Sequence, residues 1–352
     1  MGTPGVSSLA PDARAGRRMR IAAWLAFTLG LTVAVWLIVS ANAGAVLRVF
    51  AGMGVGLAAL VLTRAIIILG YALAWSRLLG GVATVPFRAC LLLRWVREAV
   101  DILLPVASVG GELVGARLLT FWRVPGGVAT ASVLVDLLLQ ATAQTGFALL
   151  GLMLLASVVG VGAWGLQAAA SVGLALLAIG GFYAVQRHGG LRYLDRLQAG
   201  LAARWSDSAA QPVPTLRLQE GLDAIWRHRR RLVQAVILHF CCFMVGAVEV
   251  WIALRFTEHP TGFARALVLE SLTNALRGAA FLVPGALGVQ EGGFVGFGYL
   301  LGIAPDTALA LSLAHRAPDI LLGLPALLAW QWLEVRNHVR AVRAKPTAEA
   351  RR

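Results

Sequence analysis

Apolar residues run almost unbroken over positions 21–40, 50–73, 127–157, 160–186, 232–256 and 307–333, and polar residues gather between these runs. Each run is long enough to cross a hydrocarbon core of ~30 Å as a helix, which takes about 20 residues. Two further regions, 88–122 and 265–303, are apolar but broken midway by Pro and Gly. Proline removes a helix hydrogen bond and clashes with the preceding turn, so each region predicts two half-length helices. The alternating ten-residue segments of a membrane barrel are absent. The pattern predicts an all-α polytopic membrane protein with about six full spans and two Pro/Gly-broken helical hairpins.

Composition agrees: 59% of the 352 residues are hydrophobic, 14% are charged and mean hydropathy is +0.76, against about 25% charged in soluble domains. The net charge of +14 would suggest nucleic acid in a soluble protein. Here the basic residues cluster between apolar runs, where the positive-inside rule accounts for them, and no nucleic-acid partner is expected. Arg14, Arg17, Arg18 and Arg20 precede a run too long for a signal-peptide core, so 21–39 reads as an uncleaved first span. Cys90, Cys241 and Cys242 show no disulfide or metal spacing and read as packing residues.

Four basic segments then fix the orientation: the tail 1–20, residues 74–97, the loop 187–231 and the tail 335–352. All four are expected in the cytoplasm, enclosing a transmembrane domain over 21–334. The span count closes only if each broken region enters and leaves on one side, the first from the cytoplasm and the second from outside. Both are then re-entrant.

Their sequences correspond. ILLPVASVGGELVGARLL (102–119) sets Pro105 seven residues before Glu112, and FLVPGALGVQEGGFVGFG (281–298) sets Pro284 seven before Glu291. The offset is 179 residues, then 180 at the following prolines, Pro125 and Pro305. With the opposed orientations, this predicts an inverted repeat with units of about 88–157 and 265–333, as in secondary transporters. Pro105, Gly110, Gly111, Pro284, Gly285 and Gly288 are the expected hairpin formers, with the second short helix starting near Val289. Glu112 and Glu291 then fall in first turns, as dipole-stabilised helix-start carboxylates, functional membrane carboxylates, or both. Gly111/Gly115 and Gly292/Gly296 have the spacing for close helix approach.

Other embedded charges are candidate site residues. Arg94 with Glu98 and Arg97 with Asp101 are four apart and can pair on one helix face. Glu270, Asn274 and Arg277 share another face. His315, Arg316 and Asp319 form a polar turn beside Pro318, and Asp136 is the expected repeat counterpart and ion-pair partner of Arg316. Arg117 completes the set. Arg64 is expected to snorkel toward the cytoplasm, and Glu249 to face protein or water. Converging arginines and helix N-termini would suit an anionic headgroup or lipid-linked phosphate. No HExxH, Walker A, GxSxG or paired CxxC occurs, so no metal, cofactor or catalytic group is expected.

Pro284-Gly285, Gly288-Val289 and Glu291, after a helix with Asn274 and Arg277, resemble the flippase-like membrane region of lysylphosphatidylglycerol synthases. LPVASVGGELVGARLL and RAPDILLGLPALLAWQWLE resemble that family's first hairpin and final span. The likeness covers roughly 20–335 and points in particular to the hopanoid-biosynthesis-associated HpnL type. It implies a bacterial inner-membrane protein, both termini cytoplasmic, that handles lipids and associates with lipid-biosynthesis enzymes. Only about 18 polar residues follow the last span, so the synthases' aminoacyl-transferase activity is not expected. The alternatives are a scaffold for a lipid-modifying enzyme and a membrane transferase. The short predicted outer connections 41–49 and 257–264, with Glu258 as their one acidic residue, disfavour the transferase.

Overall fold

The computed structural model describes residues 54–104, 110–159, 215–256, 261–281 and 283–344, with a few isolated positions besides. The expected first span at 21–40, most of 160–186, most of the basic loop and Pro105 lie outside the described residues.

Every regular element among the described residues is helical. In chain order these are α1 (Val55–Leu79), α2 (Phe87–Leu103), α3 (Gly110–Leu119), α4 (Gly126–Val159), α5 (Thr215–Trp226), α6 (Arg229–Arg255), α7 (Phe263–Ala279), α8 (Val289–Leu300) and α9 (Pro305–Ala344). Helices α1, α4 and α6 are long and apolar enough to cross a membrane. The arms α2 and α7 have 17 residues each, and α3 and α8 have 10 and 12. At ~1.5 Å per residue even the longer arms fall short of a ~30 Å core.

Local chemistry sets the breaks. Leu104 precedes Pro105 and is extended (φ −97°, ψ 147°), as the proline ring requires of the residue before it. In the second hairpin, the short turn Pro284–Ala286 carries Gly285 at φ 60°, and Gly288 at φ 75° opens α8. Both lie in the left-handed region that glycine enters without a Cβ clash.

The arms fold back on each other. Gly111 faces the Arg97 carbonyl and the Asp101 carboxylate, and Gly115 faces the Arg97 side chain. In the second hairpin Gly293 faces Thr273, and Gly298 faces Ala308 of α9. The expected pair Gly292/Gly296 does not make this contact, since both look onto open space. One residue of helix rotation moves the packing surface to Gly293.

Packing between elements is reciprocal. Helix α4 lies on α7, α9 lies on α2, and α1 pairs with α6. The Pro284–Ala286 turn touches α2, where a Cβ on Gly285 would stand 2.7 Å from the Ile102 carbonyl. The amphipathic α5 covers α4 with Leu218, Leu222 and Ile225.

Side-chain exposure is inverted relative to a soluble protein. Leu62 and Leu328 are 63% and 72% exposed, while Asp136, Glu249 and Arg97 are 0%, 0% and 1% exposed. Apolar surface facing out and ionised groups facing in suit a lipid surround.

An added Cβ at Gly111 would collide with the Arg97 carbonyl, a backbone atom that cannot rotate away. Gly111→Ala is expected to lower stability by about 1–3 kcal/mol, read as a drop in thermal midpoint in detergent. Gly296→Ala, facing open space, should leave the midpoint unchanged.

Candidate functional site

Two clusters of buried charge lie between the helices. The first forms around Asp136, on α4 among Ala131, Val135 and Leu139. Arg94 Nη1 and Arg97 Nη1 donate to Asp136 Oδ2 at 3.1 and 3.2 Å, and His239 Nε2 lies 3.1 Å from Oδ1. Arg94 Nη2 also reaches Glu98 Oε2 and Gln140 Oε1, both at 3.2 Å, and Arg97 Nη2 donates to Glu112. Each guanidinium lies over an aromatic ring, Arg94 at 4.6 Å from the Tyr71 centroid and Arg97 at 4.7 Å from that of Trp75. Helices α1, α2, α3, α4 and α6 are thus joined through one carboxylate and two arginines.

The expected helix-face pair Arg94–Glu98 is present. The expected Arg97–Asp101 pair is not. Arg97 turns to α3 and α4, where two carboxylates are buried and need a cation. Asp101 instead accepts the Gly111 N–H at 2.8 Å, satisfying an amide at the start of α3 that has no intrahelical partner.

The second cluster centres on Arg64 of α1, which is 7% exposed. Its Nη2 donates to Glu249 Oε1 at 2.9 Å and its Nη1 lies 3.0 Å from Asp319 Oδ1. His315 Nε2 is 3.0 Å from Arg64 Nη2, and His315 Nδ1 is 3.0 Å from Glu249 Oε1. Glu270 Oε2 approaches His315 Nε2 at 4.0 Å. Arg64 therefore does not snorkel to an interface: buried carboxylates on α6 and α9 hold it inside. Arg64 and Asp319 also line a narrow cleft with Trp95, Glu98, Ile102 and Leu322.

The Arg316–Asp136 pair expected from the repeat is not formed. Arg316 grips Glu291 through Nε at 2.6 Å and Nη2 at 3.3 Å, and donates to the carbonyls of Gly285 and Ala286 at 3.1 and 3.2 Å. Glu291 Oε2 also accepts the Gly288 N–H at 2.8 Å. The carboxylate is therefore a helix-start cap, and Arg316 ties that cap to carbonyls that the tight turn leaves without backbone partners.

The remaining candidates separate. Arg117 makes an exposed pair with Glu334 at 3.0 Å, away from both clusters. Glu270 faces His315, while the carbonyl and side chain of Asn274 accept from Gln144 Nε2 at 2.8 and 3.3 Å. Arg277, in the last turn of α7, is partly exposed and has no ion-pair partner among the described residues. The sequence reading missed His239, a lone histidine in the run 232–256. An ionisable residue in such a run was itself the available signal.

Removing Asp136 would leave two buried guanidiniums without their shared counter-ion. Asp136→Ala is expected to destabilise the protein by about 3–5 kcal/mol, read by denaturant titration in detergent. Arg117→Ala should cost less than about 1 kcal/mol, because its partnership is in solvent.

Among comparisons with known proteins, the family model of the lysylphosphatidylglycerol synthase transmembrane region matches residues 24–326. No curated protein and no solved structure matches the chain. The matched stretch contains both hairpins and every residue of the two charge clusters, from Arg64 to Asp319. The chain is a membrane protein related to lipid metabolism, and it belongs to the family of the lysylphosphatidylglycerol synthase transmembrane region.

Proposed function

We propose that the chain is a lipid transporter of the flippase kind, lying in the bacterial inner membrane with both termini in the cytoplasm. In this reading α1–α4 and α6–α9 are two inverted copies of one unit: long helix, two hairpin arms, long helix. The reciprocal packing of α4 on α7 and α9 on α2 supports it. The observation that carries the reading is the cleft lined by Arg64, Glu98 and Asp319 where α1, α2 and α9 meet. Buried charge is costly beside lipid and is retained where a polar solute or headgroup is handled.

The substrate class is a phospholipid, a hopanoid or a lipid-linked anion, and the HpnL-like sequence favours a hopanoid-associated role. Of the candidate arginines around the hairpins, Arg277 is without an ion-pair partner among the described residues and can meet an anionic headgroup, while Arg94, Arg97 and Arg316 are already held by carboxylates. The protein acts without aminoacyl-transferase or other covalent chemistry, on membrane lipids and alongside lipid-biosynthesis enzymes. The same saturation of the arginines favours a second reading, a static scaffold for such an enzyme.

A headgroup-accessibility assay in proteoliposomes, with fluorescent phospholipids and a hopanoid, separates the two. Glu291→Gln can still accept the Gly288 N–H but loses its charged pair with Arg316. Faster lipid movement than in empty vesicles is expected, falling about ten-fold in folded Glu291→Gln as a charged hydrogen bond is lost. Folded wild type that accelerates none of these lipids would support the scaffold.

A further inference from the structure

The two charge clusters occupy matching places in the fold but differ in balance. Helices α4 and α9 begin at positions 126 and 305, so Asp136 corresponds to His315 rather than to Arg316. Asp136 meets cations from α2 and α6, and His315 meets groups from α7 and α1, the matching elements. In the first cluster the fully buried groups balance, Arg94 and Arg97 against Asp136 and Glu112. In the second, Glu249, Glu270 and Asp319 are 0%, 5% and 6% exposed, and among the described residues Arg64 is the one fixed cation near them. Glu249 Oε2 and Asp319 Oδ2 are buried without a hydrogen-bond partner among the described residues. Uncompensated buried negative charge is strongly disfavoured and draws in a cation.

His315 is where that cation can be held. Arginine can only donate, so the 3.0 Å contact from Arg64 Nη2 makes His315 Nε2 the acceptor. In this arrangement Nε2 carries no proton, and Nδ1 lies 3.0 Å from Glu249 Oε1 but has no hydrogen-bond partner among the described residues. A proton added at Nε2 would turn the acceptor into a donor opposite another donor. The Arg64 contact would break, and Nε2–H would face Glu270 Oε2, now 4.0 Å away.

We propose that His315 is a proton-binding site whose loading exchanges its bond to Arg64 on α1 for one to Glu270 on α7. One proton enters and the imidazole becomes imidazolium, with no other bond made or broken covalently. The exchange gives up one of the contacts between α9 and α1, where Arg64 stays held by Asp319, and adds a link between α9 and α7. Its use to drive lipid movement rests on the transporter reading, but the site itself does not.

The charged groups facing the imidazole are Arg64 from α1, Glu249 from α6, Glu270 from α7 and Asp319 from α9 itself. Glu98 of α2 meets Arg64 and Asp319 at the cleft, and Arg316 is turned away to Glu291. On α8 the neighbour is the apolar Phe294 ring, 5.8 Å between centroids. The narrow packing gap beside the ring is otherwise lined by Leu60, Val250, Ala253, Phe294 and Leu311. Among the described residues no three His, Cys, Asp or Glu side chains are placed to hold a metal ion together, so a proton is the cation proposed.

The test is nitrogen NMR of the full chain with labelled histidine in lipid nanodiscs, His315 being assigned by the signal missing from His315→Gln. Spectra are recorded from about pH 8 to 5, where imidazoles change charge. At the alkaline end His315 is expected with Nδ1 protonated and Nε2 bare, and at the acid end with both nitrogens protonated. Glu270→Leu, whose side chain cannot accept, should leave the alkaline spectrum unchanged and remove the hydrogen-bonded Nε2–H signal at the acid end. A merely structural His315 would show neither change. A ring that stays neutral throughout, or carries its alkaline proton on Nε2, overturns the proposal. Spectra that respond to sodium at fixed pH would overturn it in favour of a metal ion. Because the spectra need no lipid movement, the site can fail while transport stands, and the reverse.

Discussion

A charge buried between apolar helices needs a partner of opposite sign, and the fold depends on that constraint. Arg64, Arg94 and Arg97 are each at most 7% exposed, and each meets at least two carboxylates. All the carboxylates but Glu98 come from a different helix than the arginine they hold, so satisfying one arginine fixes two or more helices at once. Breaking one member of such a pair costs about 3–5 kcal/mol, although a well-packed apolar substitute for the whole pair can be as stable. These clusters are therefore devices of position more than of net stability.

The hairpins follow the same logic one level down. Short arms cannot hide their exposed end amides and carbonyls in lipid, so each break carries its own polar partner. Asp101 takes the Gly111 amide, Glu291 takes the Gly288 amide, and Arg316 takes the carbonyls of Gly285 and Ala286. The close approach of Gly285 to the Ile102 carbonyl then brings the second tip against the first hairpin. Polar groups needed to end the helices thus also bring the two hairpins together.

Much of this was legible from hydrophobic runs alone. Helices α1, α4 and α6 lie over the runs 50–73, 127–157 and 232–256, and Pro and Gly marked both breaks. The second short helix begins at Val289, as the glycines and the following carboxylate suggested. Partnerships were far less legible. Spacing within a helix found Arg94–Glu98, but Arg64 and Glu249 are 185 positions apart, and no periodicity links them. Spacing misled for Arg97, because a tertiary carboxylate displaced the local one. Spacing also suggested an Arg316–Asp136 pair, whereas Glu291 holds Arg316 and Arg94 and Arg97 hold Asp136. Helix rotation, set by packing and not by glycine spacing, decided between Gly292 and Gly293.

The central claim is that buried ion pairs hold helices distant in sequence in register, and the Arg64–Glu249 pair between α1 and α6 is its plainest instance. A double-mutant cycle measures it directly, with Arg64→Met, Glu249→Met and both together, following reversible unfolding in detergent. The account predicts that the double variant loses less than the summed single losses, by at least about 1.5 kcal/mol, within the range for contacting residues. Losses that add to within about 0.5 kcal/mol would show independent sites, and would contradict it.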